Sequence, residues 1–182
     1  MPHKRLVAIA AAFTLTACTG VPDGIQPVTD FEADQYLGTW YEIARLDHSF
    51  EEGLTNVTAE YSYNDDGSIR VVNRGYSSED DAWDEAEGKA WFVGEKDVAH
   101  LKVSFFGPFY SSYVVFVLDQ EDYQYAYVTG YDRDYLWFLS RTPTVSDDAL
   151  DAFQQAAQSR GFDTDELITV DQSRHLDPGN QD

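Results

Sequence analysis

The chain predicts an all-β fold: an eight-stranded antiparallel up-and-down barrel with one C-terminal α-helix packed outside. Three observations carry that prediction. From Gly38 to Arg141 the sequence falls into short segments that alternate in apolar character with a period of two, the repeat of a strand with two unlike faces. Turn-forming clusters separate these segments at hairpin spacing, Asn64-Asp65-Asp66-Gly67 being the clearest. After Pro143 the period lengthens to that of an amphipathic helix. Eight antiparallel strands close into a barrel that can hold one small ligand, and closure removes exposed strand edges.

The stretch Gly38–Leu46 organises the rest. Strict alternation puts Trp40, Glu42 and Ala44 on one face and Tyr41, Ile43 and Arg45 on the other. Gly38 lets the chain pass tightly at the strand's start. The last strand, Tyr135–Arg141, ends on a cation placed to stack on the ring of Trp40. Trp137, Leu139 and Arg141 share its inward face. Between these two, Val57–Tyr63 and Ile69–Tyr76 form a hairpin, Ser77–Asp84 reads as a polar loop, and Ala86–Val93 is the fourth strand, with Gly88 and Ala90 small on its inner face. Leu101, Val103 and Phe105 mark the fifth strand, which Gly107-Pro108 breaks. Ser112–Asp119 and Tyr125–Tyr131 complete the set. In the helix, Ser146 is the N-cap, Asp147 and Asp148 suit the first turn, and Ala149, Leu150, Phe153, Ala156 and Ala157 form the apolar stripe. Arg160 belongs to its last turn and Gly161 ends it. Leu167–Val170 reads as a short ninth strand.

The ends of the chain are different in kind. Residues 1–17 combine a basic start, Lys4 and Arg5, with an apolar run too short to span a bilayer, the pattern of a signal peptide. Residues 18–30, with Gly20, Pro22, Gly24 and Pro27, read as a flexible tether. The domain proper covers 31–172, and 173–182 reads as a polar tail. Cys18 is the only cysteine, so no intrachain disulfide forms.

Composition narrows the function. The formal net charge is −21, and residues 1–17 contribute only Lys4 and Arg5, so without them it is −23. That excess argues against nucleic acid and against basic-patch binding to anionic lipid. There is no Gly-x-Ser-x-Gly elbow, no glycine-rich phosphate loop and no zinc spacing among His48, His100 and His175, which read as ordinary surface or loop residues. No cofactor, metal or catalytic residue is indicated, and the chain reads as a binding protein rather than an enzyme. Glu42 shares a face with Trp40, and an inward carboxylate must be paired, hydrated or protonated. Arg141 or Asn73 is its expected partner, within a buried polar network or beside a ligand head group.

Three motifs in order, Gly38-x-Trp40, Thr129-Gly130-Tyr131-Asp132 and Leu139-Ser140-Arg141-Thr142-Pro143, resemble those of the lipocalins. The runs Lys102–Tyr110 and Asp132–Trp137 are similar to the bacterial outer-membrane branch of that family. The resemblance covers residues 31–172, with Gly130 standing where many members carry an acid. It implies a closed end built from Gly38, Trp40 and Arg141 and an apolar cavity open at the other end. Strand parity then names Glu42, Tyr61, Asn73, Phe105, Tyr113, Tyr127 and Trp137 as candidate ligand-binding residues, with Arg133 either reaching a head group or lying in solvent. Leu15-Thr16-Ala17-Cys18 resembles the bacterial lipobox, which implies a triacylated Cys18 and a place on the periplasmic face of the outer membrane. The cargo implied is a single-chain lipid, a lysophospholipid or fatty acid, carried for membrane maintenance under stress, with a possible homodimer. A binder of haem, pigment or sterol on the same fold, and a non-binding structural lipoprotein, are the alternatives.

Overall fold

In the computed structural model, residues 19–176 are described. Eight strands form the barrel: β1 (Gly38–Leu46), β2 (Leu54–Tyr63), β3 (Ile69–Ser77), β4 (Ala82–Phe92), β5 (His100–Ser104), β6 (Ser111–Leu118), β7 (Tyr125–Thr129) and β8 (Leu136–Ser140). Each pairs antiparallel with the next, and β1 pairs with both β2 and β8, which closes the sheet. Among the described residues three α-helices accompany them, α1 (Ala33–Tyr36), α2 (Asp147–Gln158) and α3 (Ser173–Leu176), with a short 3-10 helix at Thr164–Glu166. A short ninth strand, β9 (Leu167–Thr169), runs along the upper half of β1, where β2 has diverged from it. The side chain of Gln172 bridges that split by donating to the carbonyls of Glu42 and Val57.

The barrel is shut at the end where β1 begins. Trp40 is fully buried, and its indole N–H donates to the Tyr36 carbonyl at 2.8 Å. The Arg141 guanidinium lies 3.9 Å from the Trp40 ring centroid. It also donates to the carbonyls of Gln35, Leu37 and Thr39. Gly38 sits at φ +91, with Arg141 Nη1 3.5 Å from where a Cβ would stand. A left-handed residue under a stacked guanidinium leaves glycine as the unstrained choice.

Two apolar layers follow from the alternation. Trp40, Tyr61, Val71, Leu101, Val115 and Leu139 fill the inside of the barrel. Ile43, Val114, Tyr127, Phe138 and Phe162 form an outer layer with Phe153 and Ala157 of α2. Ser146 caps α2 by accepting from the Ala149 N–H at 3.2 Å, and Phe153 packs 5.1 Å from Phe138.

Several expectations change. β1 does not alternate throughout: a register shift between Glu42 and Ala44 places Ile43 and Ala44 both in the outer layer and turns Arg45 inward opposite Trp137. One extra residue in a strand reverses all parity beyond it. Ser77–Asp84 is not a loop, because β3 reaches Ser77 and β4 begins at Ala82. The hairpin is held by the Tyr76–Trp83 cross-strand pair, with Arg74 lying 4.1 Å over Trp83, so no apolar inner face was needed to extend it. Arg160 lies beyond the last residue of α2.

The expected tether is packed, not free, over residues 19–30. Gly20 accepts from Ser112 Oγ at 2.6 Å, Ile25 is buried in the outer layer, and Val28 bonds to both Val115 and Ala99 through its backbone. The expected tail begins as α3, whose Arg174 lies 3.5 Å over the Tyr76 ring. Cys18 and residues 1–17 and 177–182 lie outside the described residues.

Trp40→Ala removes a fully buried indole, and we expect a loss of about 3–5 kcal/mol in denaturant unfolding. A loss below about 1 kcal/mol would mean that Trp40 does not hold the closed end.

Candidate ligand-binding cavity

Because β1 starts at the closed end, the β1–β2, β3–β4, β5–β6 and β7–β8 connections all gather at the opposite, open end. Between them lies a cavity of about 1240 Å³. Its lower wall carries three phenols in a chain. Tyr113 OH lies 2.7 Å from Tyr36 OH and 2.9 Å from Tyr61 OH. Burial pushes all three hydroxyls well above the usual tyrosine range, so they stay neutral and bond to one another. The walls above are apolar, with Val57, Val71, Val103, Phe105 and Leu139 among them. Gly88 faces Phe105 so closely that a Cβ there would stand 2.8 Å from its ring.

A polar cluster interrupts this apolar wall. Arg45 Nη1 donates to Glu42 Oε1 at 2.8 Å, and its other terminal nitrogen donates to the Glu51 carbonyl at 2.8 Å. Trp137 Nε1 donates to Glu51 Oε2 at 3.1 Å. Burial raises the Glu42 carboxyl well above the usual range; Glu51 adds to this and Arg45 partly offsets it. Burial also raises Glu51. Two buried carboxyls beside one guanidinium thus favour holding a proton. Asn73 Oδ1 is buried and has no hydrogen-bond partner. It borders the cavity and stands there as an open acceptor.

Nearer the rim, His48 packs in a cluster of rings, with centroids 5.1 Å from Phe50, 4.9 Å from Tyr135 and 4.9 Å from Trp137, and Phe50 and Tyr135 6.5 Å apart. It is a loop histidine on the β1–β2 connection, and it is buried there. Burial, and then the charge of Arg45, lowers its pKa to about 4.

Six of the seven candidate residues border the cavity: Glu42, Tyr61, Asn73, Phe105, Tyr113 and Trp137. Tyr127 does not. It pairs with Phe138 and packs 4.9 Å from Phe153, outside the barrel. The register gives the reason: Trp137 faces in, so its partner Val128 faces in and the neighbouring Tyr127 faces out. Glu42 is paired by Arg45 rather than by Arg141 or Asn73. Arg133 is half-buried at the surface, where it donates to the carbonyls of Arg160 and Asp23. Sequence parity did not find Arg45, Glu51, His48 and Tyr36: Glu51 and Tyr36 border the cavity, and Arg45 and His48 pack behind its lining against Glu42 and Trp137. Arg45 needs the bulge, Glu51 and His48 lie on the β1–β2 connection, and Tyr36 sits in a single helical turn.

The family model described as a lipocalin-like domain matches residues 31–172. The chain belongs to the lipocalin family. Outer membrane lipoprotein Blc of Vibrio cholerae is 56% identical over 169 residues, covering 93% of this chain and 99% of that protein. The protein of the same name from Escherichia coli (strain K12) is 52% identical, covering 92% and 95%. Among solved structures, the cockroach allergen Per a 4 superposes with a TM-score of 0.66 at 23% identity, covering 87% of this chain and 98% of that one, a likeness of fold. These lipocalin relatives and the open barrel agree on a lipoprotein that binds small hydrophobic ligands.

The acid response of the site has a defined sign. Between pH 6.5 and about 4 the unfolded chain takes up a proton at His48 that the folded state refuses, so this residue makes stability fall as pH falls through that window. Glu42 and Glu51, raised in the fold, act oppositely: their contribution to stability declines as pH rises above the ordinary carboxyl value near 4.5. We expect His48→Gln to flatten the loss of stability between pH 6.5 and 4 in denaturant unfolding. An unchanged slope would place the acid response elsewhere.

Proposed function

We propose that this lipocalin is anchored in the outer membrane through an acylated Cys18, on the periplasmic face, and carries a single-chain lipid in its barrel for membrane maintenance. One observation carries the reading: an apolar cavity in a barrel shut at one end has a polar cluster set into its wall. That arrangement suits an amphiphile with one chain and one polar head. The names of the Vibrio and Escherichia relatives support the location.

Within the class of single-chain lipids, a lysophospholipid suits the cavity better than a free fatty acid. Two carboxyls already share one guanidinium there, so a third anion would be buried without a partner; a lysophospholipid can set its neutral ester and glycerol hydroxyl at that step with its phosphate further out toward the open end. The open acceptor of Asn73 suits a lipid that brings a hydroxyl. Burying each methylene is worth about 0.8 kcal/mol. A sixteen-carbon chain therefore offers about 13 kcal/mol at most, against association and ordering costs on the order of 4–15 kcal/mol. Costs at the lower end leave binding near micromolar, about 8 kcal/mol.

Calorimetric titration with a sixteen-carbon lysophospholipid tests this, and we expect one site per barrel at micromolar affinity or tighter. Trp137→Ala should weaken that affinity about tenfold or more while lowering stability proportionately less. Full stability loss with unchanged affinity would make Trp137 a packing residue alone. In fractionated bacteria producing the full chain, Cys18→Ser should move the protein from the membrane to the soluble fraction; continued membrane association would remove the anchor.

A further inference from the structure

The open rim is uneven. Phe106 is 78% exposed and Phe109 72% exposed, both on the β5–β6 connection. Large aromatic side chains so bare, two within four residues, are not explained by the barrel's own packing. From Val103 to Leu118 the sequence contains no Asp, Glu, Lys or Arg, in a chain with 33 acidic residues. Phe106, Pro108, Phe109 and Tyr110 border the cavity, so this apolar lip is continuous with its entrance. Beside it, Lys102 Nζ lies 5.2 Å from the Tyr110 ring centroid and 6.0 Å from that of Trp91, the residue types that anchor proteins at a membrane–water interface.

The start of the described chain lies in the same sector. Gly20 is bonded to Ser112, the second residue of β6, and Thr19 borders the cavity. Cys18 is the next residue back. The described chain therefore starts at the open end, against the strand that leads out of the Phe106–Phe109 connection, and an anchor at Cys18 would join it there. The acidic run Glu79-Asp80-Asp81 occupies the neighbouring β3–β4 connection, and an anionic surface would repel it.

We propose that the β5–β6 connection is a membrane-docking lip: Phe106 and Phe109 insert into the lipid surface beside the anchor and hold the cavity entrance against the bilayer. The proposal rests on the anchor at Cys18 assigned above. Docking engages one sector of the rim, so the barrel stands tilted with the acidic β3–β4 connection kept off the surface. One lipid anchor with no second contact leaves a domain free to swing, and a second, apolar contact fixes its orientation. Lipid would then pass between bilayer and cavity along an apolar edge.

The test uses the lipidated protein in vesicles of phosphatidylethanolamine and phosphatidylglycerol. Cys18 is the only cysteine, and acylation occupies its sulfur, so Phe109→Cys and Glu79→Cys each give one free thiol for an environment-sensitive fluorophore. Brominated phospholipids should quench the probe at 109 several-fold more than the probe at 79. Equal quenching would overturn the proposal. A blue shift at 109 that appears without vesicles and rises with protein concentration would assign the lip to a second copy of the chain and also overturn it. As a functional arm, the double variant Phe106→Ser/Phe109→Ser should take up lysophospholipid from vesicles about tenfold more slowly, with its affinity for monomeric lysophospholipid within twofold of the parent. Uptake at the parent rate would contradict docking. The probe readout needs no cargo, so a barrel that binds no lipid yet is quenched at 109 supports docking while removing lipid carriage.

Discussion

Arg141 is the residue on which the closed end depends. Its guanidinium stacks on Trp40 and donates to the carbonyls of Gln35, Leu37, Thr39 and Tyr123. One planar cation thus joins the end of β8, the approach from α1 into β1 and the β6–β7 connection. The stacking is worth about 0.5–2 kcal/mol. The bonds to Leu37 and Tyr123 are partly buried, and a buried carbonyl left without a partner costs about 1–3 kcal/mol, whereas the exposed carbonyls of Gln35 and Thr39 can turn to water. Lysine presents no planar fork and satisfies fewer of these acceptors at once. With this end shut, the cavity opens toward the far end of the barrel. What enters and leaves there passes between the four connections.

The bulge in β1 governs what that cavity is made of. Without it Arg45 would point under α2 and Glu42 would face the cavity alone. With it, Glu42 and Arg45, three residues apart, meet inside the barrel at 2.8 Å. Buried ion pairs contribute little net stability, but removing one partner is strongly destabilising. The pair, with Glu51 held by Trp137, acts as a polar step in an otherwise apolar wall. A polar step gives an amphiphile a preferred orientation, where an apolar tube would leave it free to slide. His48, held neutral in its aromatic stack, keeps the rim side of this cluster free of a second positive charge at neutral pH.

The architecture was legible because its signals are local or repeated. Period-two alternation placed the strands, Ser146 placed the start of α2, and Gly38, Trp40 and Arg141 marked the closed end. What escaped was set by tertiary context. The β1 bulge has no residue signature, so Arg45 was assigned to the wrong face. Tyr127 was misplaced since parity within a short strand is fixed only by its partner's register. The path of residues 19–30 was hidden by its glycines and prolines, which suit a free tether as well as a segment laid along a barrel. Tyr76, Trp83 and Arg74 show why the β3–β4 hairpin was underestimated: cross-strand ring contacts at the edge of the barrel extend strands whose residues read as a polar loop.

The central claim is that the barrel holds a lipid. Native mass spectrometry of the barrel purified from bacteria, followed by organic extraction, tests it most directly. We expect one added mass per barrel, matching a lysophospholipid or, less favourably, a fatty acid. An empty barrel that also ignores added lysophospholipid would contradict it, leaving the fold in place and its cargo to be sought in another chemical class.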